Sequence, residues 1–350
     1  KELRAEFDFG LSPIVKKDPS RADAAIVTYT VPAKWAFREA IAKYHSMYAD
    51  AFARRVTSAG IWMPFAEIGG IENAKDFGFA FHEVAEQQLA GSTARDDAKI
   101  GGADDSYVEP QTNWQAYLGT GKGTYDQRLA QLTADANAGD KRSQATLVSG
   151  IIRDTGFRDL YMAGVAYTPM LPWGCDPNPA IATTAEGWPG KGQFEFDRIE
   201  PLLGWRNKPS AKLAGVYVDS MEGWGEILDY SHEHWRVSEF PLTFDPSTHR
   251  VALLNFWGVY SWVREMSRQL HQHGMILFGN DAYFRRWQLC PWVDVPGREY
   301  TWIESDKFTP VSDARYLFLR SMSGAKPYLM LKNNHYEHGE FIEKYFRRNL

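Results

Sequence analysis

Two acids three residues apart, Asp219 and Glu222, stand where the apolar stretch "AGVYVDSMEGWGE" (214–226) gives way to glycine and polar residues. A carboxylate at the end of a buried, β-branched run is held in place by what packs beneath it. Paired carboxyls in such a position can cleave a glycosidic bond, one attacking the anomeric carbon or activating water and the other protonating the leaving oxygen. Asp219 closes the cleaner run and is the expected nucleophile, against the plainer alternative of an Asp that only caps a turn. Glu222 shares its loop and more naturally orients the site or binds a hydroxyl. The partner acid is expected from "WVDVPGREYTW" (292–302), where Asp294 and Glu299 both qualify, facing Asp219 across the roughly 5–10 Å that glycoside hydrolysis uses.

Such acids need a scaffold that gathers strand ends. Eight short apolar runs recur along the chain: 60–65, 77–83, 105–110, 162–174, 214–220, 274–281, 290–300 and 327–334. Near-continuous apolar runs read as strands buried on both faces, and eight of them with intervening helices predict a (β/α)8 TIM barrel over 33–350. Before it, "ELRAEFDFGLSP" and "AAIVTYTVP" alternate like strands, so 1–32 is expected to be a short β-rich N-terminal segment, either the remnant of an upstream β-sandwich or a sheet extension packed beside the main body. Helices are predicted over 34–56, 251–273 and 340–348, and the irregular stretches 118–151 and 175–206 are expected to wall the site.

Chemistry in such a barrel sits at the C-terminal ends of the strands. Beside the acids above, those ends carry Trp62, Glu67, His82, Glu83, Glu109, Trp173, Asp176, Asn280, Asp281, Trp302, Lys332, Asn333, Asn334 and His335. Of these, Trp62, Glu83, Glu109, Trp173, Asn280, Asp281, Trp302, Lys332 and Asn334 are the expected sugar-binding residues. Aromatic content of 14%, with 13 Trp, 17 Tyr and 20 Phe, suits a carbohydrate groove, because aromatic faces pack on sugar C–H faces; filling a large core is the competing use.

The formal net charge of −5 gives no reason to expect nucleic acid, and no apolar run is long enough for a membrane span. Cys175 and Cys290 allow either one bridge or two free thiols. The chain opens on Lys1 rather than Met, which reads as a processed or trimmed start and leaves a secreted or periplasmic location open. "SHEHW" (231–235) and "HYEH" (335–338) lack the HExxH spacing, so no catalytic metal and no cofactor is expected; a metal-dependent hydrolase using His232, His234 or His335 is the alternative enzyme. "GTGKGT" (119–124) lacks phosphate-loop spacing and reads as a turn.

The segment "PAKWAFREAIAKYHSMYADAFARR" (32–55) resembles the linker and first helix that join a β-sandwich to the catalytic barrel in several retaining α-glycosidase families. "YVDS" followed later by "WVDVPGRE" is similar to the layout of the superfamily holding α-galactosidases, family 31 α-glucosidases and endo-α-N-acetylgalactosaminidases. The resemblance implies a strand-end Asp as nucleophile and a carboxyl from a later strand as acid/base. It places the nucleophile on the fourth strand, whereas Asp219 closes the fifth of the eight runs. The expected function is a retaining glycoside hydrolase acting on an oligo- or polysaccharide, with a catalytically silent carbohydrate-binding barrel as the non-enzyme alternative.

Overall fold

The computed structural model describes residues 4–15, 17, 20–57, 59–63, 71–73, 76–85, 106–109, 115–116, 123–153, 160–162, 173–204, 213–222, 227–282, 285–332 and 338–349. The chain divides into two compact units. The first comprises Lys1–Tyr29, Thr112–Pro201 and Gly223–Glu265; the second comprises Thr30–Gln111, Leu202–Glu222 and Met266–Leu350.

Among the described residues, the second unit is built on seven parallel strands: β1 (Ile61–Met63), β2 (Phe79–Ala85), β3 (Ser106–Glu109), β4 (Gly215–Val218), β5 (Ile276–Asn280), β6 (Val295–Tyr300) and β7 (Leu329–Lys332), hydrogen-bonded in that order. This corrects the expected eight-stranded (β/α)8 barrel. Seven of the eight apolar runs supply strands of one sheet, and the described ends of the run 162–174, Met162, Trp173 and Gly174, are not among them. β3 pairs directly with β4, while Trp173 and Gly174 pair antiparallel with Gln115 and Ala116 in the first unit. Residues 163–172 lie outside the described residues, and among those described no ladder joins β1 to β7.

The sheet curls, since β1 reaches side chains of strands that are not its hydrogen-bonded neighbours. Trp62 meets Phe278 at 4.9 Å and Tyr217 at 5.6 Å between ring centres, and Phe81, Val295 and Leu329 complete the same cluster. Every residue of β4 and β5 is buried, as their unbroken apolar sequence requires. Much of the aromatic excess is consumed here and in the fully buried Trp173, Trp262 and Trp302.

The N-terminal alternation does not become the expected β-rich segment. Gly10 makes one isolated antiparallel bridge to Leu242, and the described residues around it form no strand. Alternation marks an extended chain, but a strand exists only where a partner edge accepts it. The predicted helix 251–273 also begins later. Val251–Leu254 is the central strand of a three-stranded antiparallel sheet with Leu228–Asp229 and Thr243–Phe244, and the helix runs from Phe256 to Gln272 before Gly274 turns the chain at φ +67°. The stretch 118–151 holds two helices, Tyr125–Asn137 behind a Thr124–Gln127 capping box and Lys141–Ser149 capped by Asp140.

In the first unit, Gly258 on the helix Phe256–Gln272 makes room for a buried carboxylate. A Cβ at that position would lie 1.7 Å from Asp176 Oδ1. Alanine normally gains about 1 kcal/mol over glycine inside a helix. The collision is with a fully buried side chain, and overpacking typically costs 1–3 kcal/mol or more. Gly258→Ala is therefore expected to destabilise the protein by roughly 2 kcal/mol, read as a lower denaturant midpoint at unchanged m value. A variant as stable as wild type would mean that Asp176 is not packed against this helix.

Candidate functional site

Register explains how the second unit assembles its acids. Val218 of β4 pairs with Gly279, so Asp219, one residue beyond the strand, comes level with Asn280 of β5, which pairs with Gly297 of β6. Side chains alternate along a strand, so Glu299, two residues past Gly297, points to the same face as Asn280. Gly297 has no side chain to intervene. The amide nitrogen of Asn280 accordingly donates to both acids, 2.8 Å to Asp219 Oδ1 and 2.8 Å to Glu299 Oε1. The two N–H bonds of a planar amide diverge by about 120°, which sets those carboxylate oxygens roughly 5 Å apart.

The same alternation places Tyr217, Phe278 and Val295, all mutually level, directly beneath this trio. Asp219 and Glu299 thus stand on an aromatic floor at the carboxyl ends of three adjacent parallel strands, where ligands bind in open α/β sheets. The Tyr217 hydroxyl lies 3.5 Å from Asp219 Oδ1 and the Ser220 hydroxyl 3.3 Å from Oδ2. After each polar strand end the chain reverses through a left-handed residue, Ser220 at φ +49° and Asp281 at φ +57°. Non-glycine residues pay on the order of 1 kcal/mol there, and such strain gathers at functional sites. Gly279 permits the first reversal, because a Cβ would sit 2.5 Å from the Met221 methyl, and the Met221 N–H donates to the Asn280 carbonyl at 2.8 Å.

Around the pair, Asp281 is held 3.6 Å from the Arg298 guanidinium. Burial pushes the Asp281 carboxyl above the usual range; Arg298 opposes that rise and the Asp219 charge adds to it. Glu83 lies two residues past Phe81 on the face that holds the aromatic floor, is buried, and accepts the Trp62 indole N–H at 3.0 Å. Glu222 serves the adjoining loop: its two oxygens accept the backbone N–H groups of Arg285, at 2.8 Å, and Arg286, at 3.1 Å.

Other expected residues fall elsewhere. Asp294 precedes β6 and so lies at the opposite end of that strand from Glu299. Fully buried, it accepts the Leu277 N–H at 2.9 Å and faces His271 Nε2 at 2.8 Å. Trp302 is fully buried against Phe308 and Tyr345, and Trp173 is fully buried against Tyr125 in the first unit, so neither offers a face to a sugar. Trp62 is floor rather than platform. Glu109 ends β3 and Lys332 ends β7, level with Ala85 and Tyr300 respectively. Glu67, Asn333, Asn334, His335 and 119–122 lie outside the described residues. The Asn280 bridge and Arg298 were not anticipated in these roles; their signal was the spacing of "PGRE", which puts a glycine where Asn280 must cross.

Near Asp294, Lys326 is buried with its ammonium on the Cys290 carbonyl and, at 2.9 Å, the Val293 carbonyl. Burial lowers it from the ordinary 10.5 to about 8, with Asp294 resisting. The folded state therefore gives up this proton before the unfolded state does, so stability from this group rises as pH climbs from about 8 to 10.5. Relative to a Lys326→Met variant, wild type is expected to gain roughly 3 kcal/mol across that window, measured by denaturant titration at several pH values. Parallel curves for the two proteins would refute it.

In the first unit, His234 meets two buried acids. Its Nδ1 is 2.5 Å from Asp229 Oδ2 and 4.0 Å from Asp176 Oδ2, and all three side chains are buried. Burial opposes the imidazolium, but the Asp229 carboxylate outweighs it and raises His234; burial also raises Asp176, with His234 pulling the other way. His232 is exposed and packs on Trp235. Cys175 and Cys290 are both buried thiols not joined in a disulfide. Among the described residues no helix is long and apolar enough to cross a membrane. Comparison with protein-family models, curated proteins and solved structures finds no match to this chain.

Proposed function

We propose that the protein is a retaining glycoside hydrolase whose nucleophile is Asp219 and whose acid/base is Glu299. The observation that carries this reading is the Asn280 amide nitrogen donating to both carboxylates at 2.8 Å; planar amide geometry then puts the two accepting oxygens roughly 5 Å apart, the separation of a retaining pair rather than the wider gap that admits a water for inversion. Asp219 attacks the anomeric carbon while Glu299 gives its proton to the departing oxygen. The resulting glycosyl ester is hydrolysed by a water that Glu299, now a carboxylate, deprotonates. Asp281 and Glu83 are placed to bind hydroxyls, and Glu222 to hold the loop at Arg285 and Arg286. Asp219 follows β4 and Glu299 lies on β6, so the acid/base comes from a later strand than the nucleophile, as the resemblance to the α-galactosidase and α-glucosidase superfamily implies.

A panel of aryl α- and β-glycosides, oligosaccharides and polysaccharides identifies the cleaved bond. An activated 2-deoxy-2-fluoro glycoside of the matching sugar then traps the glycosyl ester, and peptide mass spectrometry is expected to find the label on Asp219. Sugar binding with no turnover across the panel, or a label on another residue, overturns the assignment.

A further inference from the structure

We propose that Asp176, Asp229 and His234 form a buried site in the first unit for one divalent cation of the nitrogen- and oxygen-binding class, Zn2+ foremost. The three side chains each offer one ligand atom, and these atoms lie within 4.8 Å of one another. Ligand atoms at about 2.1 Å from a shared Zn2+ sit on the order of 3.4 Å apart, between the 2.5 and 4.0 Å that separate His234 Nδ1 from the two carboxylates. Opening the Asp229–His234 contact by about 0.9 Å brings that pair to the spacing of two ligands on one Zn2+.

Two further observations point to a cation. Asp176 Oδ2 is buried and has no hydrogen-bond partner, whereas its Oδ1 accepts the Asn178 N–H at 2.9 Å. An unmatched buried carboxylate oxygen is costly, and a metal is the partner that two acids and an imidazole converge upon. The rest of the cluster is arranged as outer partners arrange metal ligands. His234 Nε2 lies 3.3 Å from the Val148 carbonyl, which holds a proton on that nitrogen and leaves Nδ1, the atom that faces the acids, to exchange its proton for the ion. Asp229 Oδ1 is fixed by the N–H groups of Ile152, at 3.1 Å, and Ser231, at 2.9 Å, leaving Oδ2 for the shared point.

The ligands come from three places in the sequence: Asp176 follows Trp173–Gly174, Asp229 ends the strand Leu228–Asp229, and His234 lies on the helix His232–Val237. An ion would tie them together and add its binding energy to folding.

The test uses the full chain, produced in minimal medium supplied with Zn2+ or Co2+ and passed over a chelating resin. Elemental analysis is expected to find one metal per chain, and the Co2+ form to show d–d absorption that Zn2+ bleaches. His234→Gln, and Asp176→Asn where it folds, are expected to retain less than a tenth of that metal, while the exposed His232→Gln retains it all. A wild-type chain without stoichiometric metal in either medium, leaving a proton alone between His234 and Asp229, overturns the site. So does a His234→Gln variant that keeps both metal and spectrum.

Discussion

Asp219→Ala is expected to remove glycoside turnover, with kcat falling by on the order of 10^4 or more, while the thermal unfolding midpoint stays close to that of wild type. Asp219 lies just past its strand and is only partly buried, so the aromatic floor beneath it does not depend on its side chain. Glu299→Ala is expected to behave differently. Loss of a general acid costs about 10^2 to 10^4, and the loss shrinks for substrates whose leaving group departs without a proton. Azide separates the two roles. In Asp219→Ala it replaces the missing nucleophile and yields the glycosyl azide of inverted configuration; in Glu299→Ala it replaces water on the glycosyl ester and yields the retained one. Identical products from both variants, or turnover in Asp219→Ala within tenfold of wild type without azide, would sink the assignment.

Most of the sheet was legible because burial on both faces leaves one kind of trace, an unbroken apolar run, and "GVYV" and "ILFG" are such runs. The run 162–174 misled because hydrophobicity does not name a partner: its described end, Trp173–Gly174, pairs antiparallel with Gln115–Ala116 in the first unit. Register was hidden altogether. Asp294 and Glu299 are five residues apart in one apolar segment, and nothing local says that β6 begins at Val295, which sends one acid to each end of the strand. The tryptophans misled for a related reason: composition cannot tell a sugar platform from a core, and Trp62, Trp173 and Trp302 are all buried. His234 shows the converse. Its ligand spacing looked weak because Asp176 is nearly sixty positions distant, a separation that only folding closes.

Asn280 carries the second large effect. Asn280→Ala is expected to lower kcat by about 10^2 to 10^3 with little change in KM, the cost of losing a preorganised donor that acts on the reacting groups rather than on the sugar. Asn280→Asp, being nearly isosteric, tests whether shape alone explains that loss. There the donating nitrogen, 2.8 Å from Asp219 and 2.8 Å from Glu299, gives way to an oxygen. Unit charges at that separation repel by roughly 6 kcal/mol each at an effective dielectric near 20. The three carboxyls can then persist together only by taking up a proton or moving apart, and either change spoils the pair that attack and protonation require. Asn280→Asp is thus expected to be at least as impaired as Asn280→Ala at neutral pH, although it keeps the side-chain volume over Phe278. Steady-state kinetics beside a thermal melt check this. Asn280→Asp retaining more than half the wild-type kcat would show that the amide neither spaces the acids nor holds their charges.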